Sequence, residues 1–291
     1  MLSKSFLAPL SLILAATVWG LVWYPYRLLE QAGITGSVAS LLTYTLGLPV
    51  LMLLAARART ADRHELMVLL ALALSAGWTN LAYVLAVIDG EVMRVLLLFY
   101  LAPLWTVLFA RILLAEKAGR MAYLVIGLSL AGAFVMLSES GGLPLPTNLA
   151  EWLGLSSGIG FALSNVLTRK VASTPIALRS LWVFAGVAVL SALNAVHEGS
   201  SLDSVRLLDL SAWFLIVGIV LALLLATFTV QYGLSRTPAN RAIVILLSEL
   251  VVAAIASRVL AGEEMNFREW IGGAMIVAAT LFSGRLEQKH V

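Results

Sequence analysis

The feature that most constrains this chain is a near-continuous series of apolar runs, each about as long as a bilayer is thick. They fall at 6–28, 35–56, 65–88, 92–115, 118–138, 150–170, 177–197, 209–233, 240–261 and 267–284. A helix rises about 1.5 Å per residue, so about 20 apolar residues cross about 30 Å of hydrocarbon. Leu, Ala and Val dominate the runs, which are apolar all round, as helices in lipid are. Membrane strands would instead alternate in short segments. Composition points the same way. The chain is 61% hydrophobic and 12% charged, against about 45–50% and about 25% in soluble domains. A soluble fold of 291 residues could not cover so much apolar surface, and lipid removes that demand. The sequence therefore predicts an all-α membrane protein of ten transmembrane helices with short loops, whose function lies within the membrane part.

The opening stretch MLSKSFLAPLSLILAATVWG has the charge and apolar run of a signal peptide. The run continues past Ala15 and Ala16 through Trp19 and Trp23 to Arg27, which is long enough to span. Lys and Arg set the orientation, because they gather on the cytoplasmic side. With the N-terminus inside, the inner loops hold Lys4, Arg57, Arg59, Arg63, Arg111, Lys117, Arg120, Arg169, Lys170, Arg179, Arg236, Arg241, Arg285 and Lys289. The outer side holds Arg27, Arg94, Arg206, Arg258 and Arg268. A missed or extra helix would scramble this alternation. It predicts ten spans with both N- and C-termini cytoplasmic.

The chain also repeats itself. Arg94, Arg111 and Glu116 lie over Arg241, Arg258 and Glu263 at a constant offset of 147. Trp19 to Arg27 lies over Phe161 to Arg169 at an offset of 142. Chance alignment of Leu- and Ala-rich helices explains matching apolar residues, but coincidence of sparse charges is less expected from chance. A linker around Gly141, Pro144 and Pro146 divides the chain into a first five-helix repeat, 1–140, and a second, 150–291. Five is odd, so the second half is inverted relative to the first. Inverted repeats mark secondary transporters, whose site lies between the halves near the midplane.

Several chemistries are excluded. There are no cysteines, hence no disulfides, zinc–thiolate sites or iron–sulfur clusters. His64, His197 and His290 sit at segment ends or in the tail and form no ligand cluster. G-x-x-x-x-G-K-[ST] and H-E-x-x-H are missing, and no paired carboxylates or Ser/His or Ser/Lys set lie at membrane depth. The expectation is a protein that is not an enzyme, needs no cofactor and binds no nucleic acid. Transport by a gradient or by facilitated exchange remains.

Glu249 is the most informative acid, near the middle of the ninth run, where a charge is expensive. Two readings stay open: a coupling group or partner for a substrate ammonium, and a buried structural hydrogen bond. Arg111 with Glu116, and Arg258 with Glu263, close the fourth and ninth runs on opposite sides. Interfacial anchoring and ion pairing that reach water are the favoured reading there, and a gate pair is the alternative. Polar and aromatic residues recur at helical spacing. One face carries Ser157, Phe161, Ser164 and Thr168; others carry Ser75, Thr79 and Tyr83; Ala16, Trp19, Trp23 and Tyr26; Phe99, Pro103 and Thr106; and Thr227 with Gln231. For any one aromatic, ordinary packing suffices. As a set they predict a cavity suited to an amphipathic, partly apolar solute. Pro25, Pro49 and Pro103 interrupt runs and permit kinks. Gly154 and Gly158 form a small-xxx-small contact within the bundle.

Trp19-Gly20, Ala102-Pro103-Leu104 with Ala115-Glu116-Lys117, and Ser248-Glu249 with Ala261-Gly262-Glu263 together make the chain resemble the drug/metabolite transporter superfamily, in its ten-helix EamA-type branch. The resemblance covers essentially the whole chain. It departs in two places: the first copy of the family's Leu-Gly-Glu ending reads Leu-Ala-Glu, and Leu250 stands where a Pro often follows the acid. Within the family, the aromatic-rich first, third and fourth spans are most similar to bacterial aromatic amino acid exporters. The resemblance implies a monomer-sized basket in the cell inner membrane, with spans 1–4 and 6–9 around a central cavity and spans 5 and 10 at the periphery. It implies an amino acid as the small-molecule substrate, moved by alternating access, with the lipid bilayer as the other partner. The binding residues it implies are Trp19, Thr79, Tyr83, Phe99, Phe161, Ser164, Gln231 and Glu249. Rival readings are a drug or nucleotide-sugar carrier, a channel, and an intramembrane enzyme or flippase. The nucleotide sugar would require inward Arg or Lys for phosphate, and no such intramembrane cluster is present.

Overall fold

A computed structural model describes residues 4–58, 62–89, 95, 98–137, 146–199, 205, 208–261 and 267–283. Among these residues the chain is helical and carries no strand. The helices are α1 (Lys4–Gln31), α2 (Gly36–Ala55), α3 (Arg63–Asp89), α4 (Ala102–Leu113), α5 (Arg120–Leu137), α6 (Leu149–Lys170), α7 (Ile176–His197), α8 (Leu210–Leu234), α9 (Ala239–Leu246), α10 (Ser248–Ala256) and α11 (Phe267–Ser283), with a π-turn at Ser257–Ala261 closing α10. Every expected run contains a described helix. Six stretches are long and apolar enough to cross a membrane unaided: Leu7–Gln31, Gly36–Ala55, Arg63–Ala86, Ile176–His197, Leu210–Leu234 and Ala239–Leu260, the last combining α9 and α10. The protein is a multi-pass membrane protein. Ala102–Leu113, Arg120–Val135 and Trp270–Phe282 are apolar but shorter. Helix α6 is long but more polar, and its Ser157, Ser164, Asn165 and Thr168 are all buried. Its polarity belongs to an interior position, where other helices rather than lipid surround it. The linker at 138–145, together with Arg94, Arg206, Glu263, Arg285 and Lys289, lies outside the described residues.

Helix ends follow local chemistry. Asn148 caps α6 by accepting from the Glu151 amide at 2.9 Å, and the Glu151 carboxylate reaches back to accept from the Thr147 amide at 2.7 Å, one residue before the cap. Asp209 caps α8 through the Ala212 amide at 2.9 Å. Pro175 and Pro238 stand just before α7 and α9. Helices α1 and α2 run through Pro25 and Pro49. Pro103 follows directly on the turn at Tyr100 and Leu101. It sits in the first turn of α4, where a missing amide costs nothing.

Packing crosses the middle of the chain. α3 lies against α6 and α7, α2 against α7 and α8, α1 against α8, α9 and α10, α4 against α6 and α9, and α5 against α11. Helix α9 is buried along its whole length. Small residues bring backbones together where side chains would hold them apart. A Cβ on Gly186 of α7 would stand 2.0 Å from the Ala73 carbonyl oxygen of α3. Gly158 of α6 meets Phe99 in the same way, with a Cβ falling 2.4 Å from its carbonyl oxygen, so the small-residue pair on α6 serves contact within the bundle.

The crossing of α3 and α7 is therefore sensitive to one methyl group. We expect Gly186→Ala to destabilise the protein by about 1–3 kcal/mol through overpacking, read as a lower melting temperature in detergent. An unchanged melt would show that the two backbones are not in contact.

Candidate functional site

Two of the apolar runs are interrupted by turns. The fourth run turns at Tyr100 and Leu101, where the Leu101 amide bonds the Leu98 carbonyl at 3.3 Å and the Leu104 amide bonds the Leu101 carbonyl at 3.0 Å. The ninth turns at Leu247, where the Leu250 amide bonds the Leu247 carbonyl at 3.1 Å. Tyr100 and Leu247 are 147 residues apart, the offset of the internal repeat. The Thr280 hydroxyl of α11 donates to the Ile276 carbonyl of its own helix at 2.9 Å and also lies 3.4 Å from the Val244 carbonyl, an oxygen that an unbroken helix would pair with residue 248. Breaks of this kind are tolerated at membrane depth only inside protein or beside a cavity.

Around these breaks an aromatic group assembles. Phe99 is its hub: its ring centre lies 5.4 Å from Tyr83 of α3, 5.1 Å from Tyr100 and 5.4 Å from Phe161 of α6. The Tyr83 and Tyr100 contacts are edge-on, the arrangement that ring quadrupoles favour. Phe161 also touches the apolar clusters of α1, α8 and α9 and of α4, α5 and α11. Glu249, in the first turn of α10, faces this group. The Tyr100 hydroxyl is directed at its carboxylate, and Tyr83 lies close to both. Gly20 of α1 fixes the position from behind, since a Cβ there would stand 2.8 Å from the Glu249 carbonyl oxygen and 2.9 Å from Val252 Cβ. Residues 239–247 are buried, whereas Ser248 and Glu249 are half-exposed.

The structure thus brings together Tyr83, Phe99, Phe161 and Glu249 of the eight residues singled out in the sequence. The other four stand in different surroundings. Trp19 packs with Val22 and Tyr26 against the cluster of α2, α7 and α8. The Thr79 hydroxyl bonds the Ser75 carbonyl at 2.7 Å, and its own carbonyl accepts from Ser157 at 2.9 Å, so it sits in the α3–α6 seam. Ser164 donates to the Phe161 carbonyl of its own helix at 2.9 Å. Gln231 is buried in α8 with Oε1 unpaired among the described residues. Tyr100 is the member that sequence reasoning missed. Helical spacing places it off the Phe99 face, and only the turn rotates it toward Glu249.

Glu116 differs from expectation. Its partner is not Arg111, which is exposed. The carboxylate pairs with Arg169 at the end of α6 and accepts the Ala239 amide at the start of α9 at 3.0 Å. Just inside this joint Ala110, Val166 and Ala239 form an apolar plug. The chain reaches it through Ala115 at φ 56°, with the Glu116 amide bonding the Ala110 carbonyl at 3.1 Å.

Comparison with known proteins places these features in a family. The model of the EamA-like transporter family matches residues 6–138 and again 148–285. An uncharacterized transporter of Archaeoglobus fulgidus is 27% identical over 218 residues, covering 75% of this chain and 76% of that protein. The protein RarD of Salmonella typhi is 25% identical over 174 residues, covering 59% of this chain and 56% of its own length. A crystal structure of a protein 19% identical superposes with a TM-score of 0.77 over 96% of this chain and 98% of that one, a likeness of fold.

Ala115 occupies a left-handed conformation that costs a residue with a Cβ about 1–2 kcal/mol, part of which a glycine returns as entropy of the unfolded chain. Ala115→Gly should therefore stabilise the protein by about 0.5–1 kcal/mol, seen as a raised melting temperature. A fall would show that the turn is not left-handed.

Proposed function

Because this transporter belongs to the EamA-like transporter family, we propose that it exports aromatic or bulky apolar amino acids across the inner membrane by alternating access. The observation that carries the proposal is the site itself. Among the described residues one carboxylate, Glu249, stands between the two interrupted runs and faces Tyr83, Phe99, Tyr100 and Phe161. The acid suits a substrate ammonium and the rings suit an apolar body. Broken helices at the interface of two repeats are where secondary transporters bind.

Three observations support ten spans in two inverted halves. The family matches each half separately. Packing is reciprocal: α1 meets α8, α9 and α10 of the other half, and α6 meets α3 and α4. The Gly20–Glu249 contact has a counterpart at the repeat offsets in Ala162 and Ala102, which share one apolar cluster. On the orientation given by Lys and Arg, the joint at Glu116 closes the cytoplasmic end. Another amphipathic metabolite or a drug is the alternative cargo for the same site, and a facilitative channel is the alternative mode.

Counterflow into liposomes tests this directly. Labelled Trp or Phe should enter faster when unlabelled substrate is trapped inside. No uptake above empty liposomes would overturn the amino acid reading, and uptake without trans-stimulation would favour a channel. Glu249→Gln should cut exchange at least tenfold while the melting temperature holds within a few degrees. A variant that fails to fold would give Glu249 the structural role instead.

A further inference from the structure

Two helices run between the joint at Glu116 and the site at Glu249. On α6, Phe161, Asn165 and Arg169 follow one another about one turn apart, so Asn165 lies between the aromatic group and the ion pair. On α9, Ala239 belongs to the joint and Leu247 to the break. Asn240 stands at the joint end of the face that leads to Leu247, seven residues on. Helix α8 lies against both α6 and α9. Its Gln231 shares a face with Leu234, which packs in one cluster with Ile245 of α9, and Phe161 of α6 touches that cluster. Amides from three helices are thus placed along one path from joint to site.

All three are buried: Asn165, Gln231 and Asn240 are 6%, 2% and 7% exposed. Among the described residues Asn165 Nδ2, Gln231 Oε1 and Asn240 Oδ1 have no hydrogen-bond partner. Thr237 Oγ1, in the connection between α8 and α9, is buried and unpaired in the same way. Buried hydroxyls in α4 and α5 show the usual remedy. Thr106 donates to the Ala102 carbonyl at 3.0 Å and Ser129 to the Ile126 carbonyl at 2.9 Å. A polar group left without a partner away from water is costly. In membrane proteins such groups face a path that fills with water or cargo. An amide that its neighbours do not satisfy here is satisfied when the joint parts and the path fills. An amide also carries donors and an acceptor with no net charge. It can accept from an ammonium and donate to a carboxylate, so it meets both charges of a zwitterion.

We propose that Asn165, Gln231 and Asn240 form an inner station on the transport route, reached from the cytoplasmic end once the Glu116 joint parts. There the ammonium and carboxylate of the amino acid are received by uncharged amides before the ammonium passes to Glu249. The cargo named here rests on the amino acid reading above; the place of the station does not.

The chain has no cysteine, so single cysteines report on the route without background. In inside-out vesicles, Asn165→Cys and Asn240→Cys should react with a membrane-impermeant maleimide at least tenfold faster than Ser129→Cys, an equally buried position in α5. Saturating Trp or Phe should slow both reactions at least threefold. Asn165→Leu, which removes the unpaired amide at nearly constant volume, should hold or raise the melting temperature while cutting counterflow at least tenfold. Labelling of both cysteines no faster than Ser129→Cys overturns the inference. So does labelling that Trp or Phe leaves unchanged in a protein that exchanges them, or full counterflow in the Leu variant. The two cysteine positions are read independently, so one variant that does not fold leaves the other to decide. Fast labelling without counterflow of Trp or Phe would sink the amino acid reading and leave the station in place. Counterflow without labelling would do the reverse.

Discussion

A backbone amide in hydrocarbon has no water to bond, and the rest of this structure depends on that constraint. Each unsatisfied group costs several kcal/mol in a membrane, so the described chain is helical wherever it meets lipid. The departures are confined to the interior. The turns at Tyr100 and Leu247 lie against buried neighbours. Irregular backbone is thereby gathered in one place. The same place holds the half-exposed acid of the ninth span, because both a broken ladder and a carboxylate need shelter from hydrocarbon.

The second determinant is small residues. Lipid gives helices no hydrophobic reason to associate, so close backbone contact and interior hydrogen bonds must hold them. Gly186 against Ala73, Gly158 against Phe99 and Gly20 against Glu249 are such contacts. They join one half of the chain to the other. The third helix is thereby seated between α6 and α7, which delivers Tyr83 to Phe99 and Phe161. The polar residues of α6 follow from this seating. Ser157 donates to Thr79 across the seam at 2.9 Å, and such groups would be expensive on a face turned to lipid.

Much of this was legible in the sequence, because apolar run length maps directly onto helix position. The runs at 35–56, 177–197 and 209–233 differ from α2, α7 and α8 by a residue or so at each end. Phe99, Phe161, Tyr83 and Glu249 were legible because helical spacing sorts residues onto faces. Tyr100 was hidden because its orientation comes from a turn that spacing does not encode. The partner of Glu116 was hidden because an ion pair across 53 positions depends on packing of α4, α6 and α9. One signal did bear on it. Ala115 stands where the resembled family carries glycine, and its positive φ shows what that glycine is for. The turn swings the acid off its own helix and toward its neighbours.

Glu116 and Glu249 are then linked through a single rod. Helix α9 begins at Ala239, whose amide the Glu116 carboxylate accepts, and ends at the break before Glu249. Its residues are buried throughout, so it cannot shift without disturbing Val166 and Ala110 at one end or Phe161 and Leu12 further along. At about 1.5 Å per residue the rod spans about 12 Å. An opening of the site toward the Glu116 end has to move α9 away from α4 and α6, which separates the carboxylate from Ala239 and from Arg169 together. Both bonds are made by one side chain at a partly water-exposed joint, so they can be exchanged for water at modest cost. A fully buried ion pair would resist that exchange far more strongly. The proposed alternating access would require a seal of this kind, one that opens more readily than a buried ion pair or a core hydrogen bond.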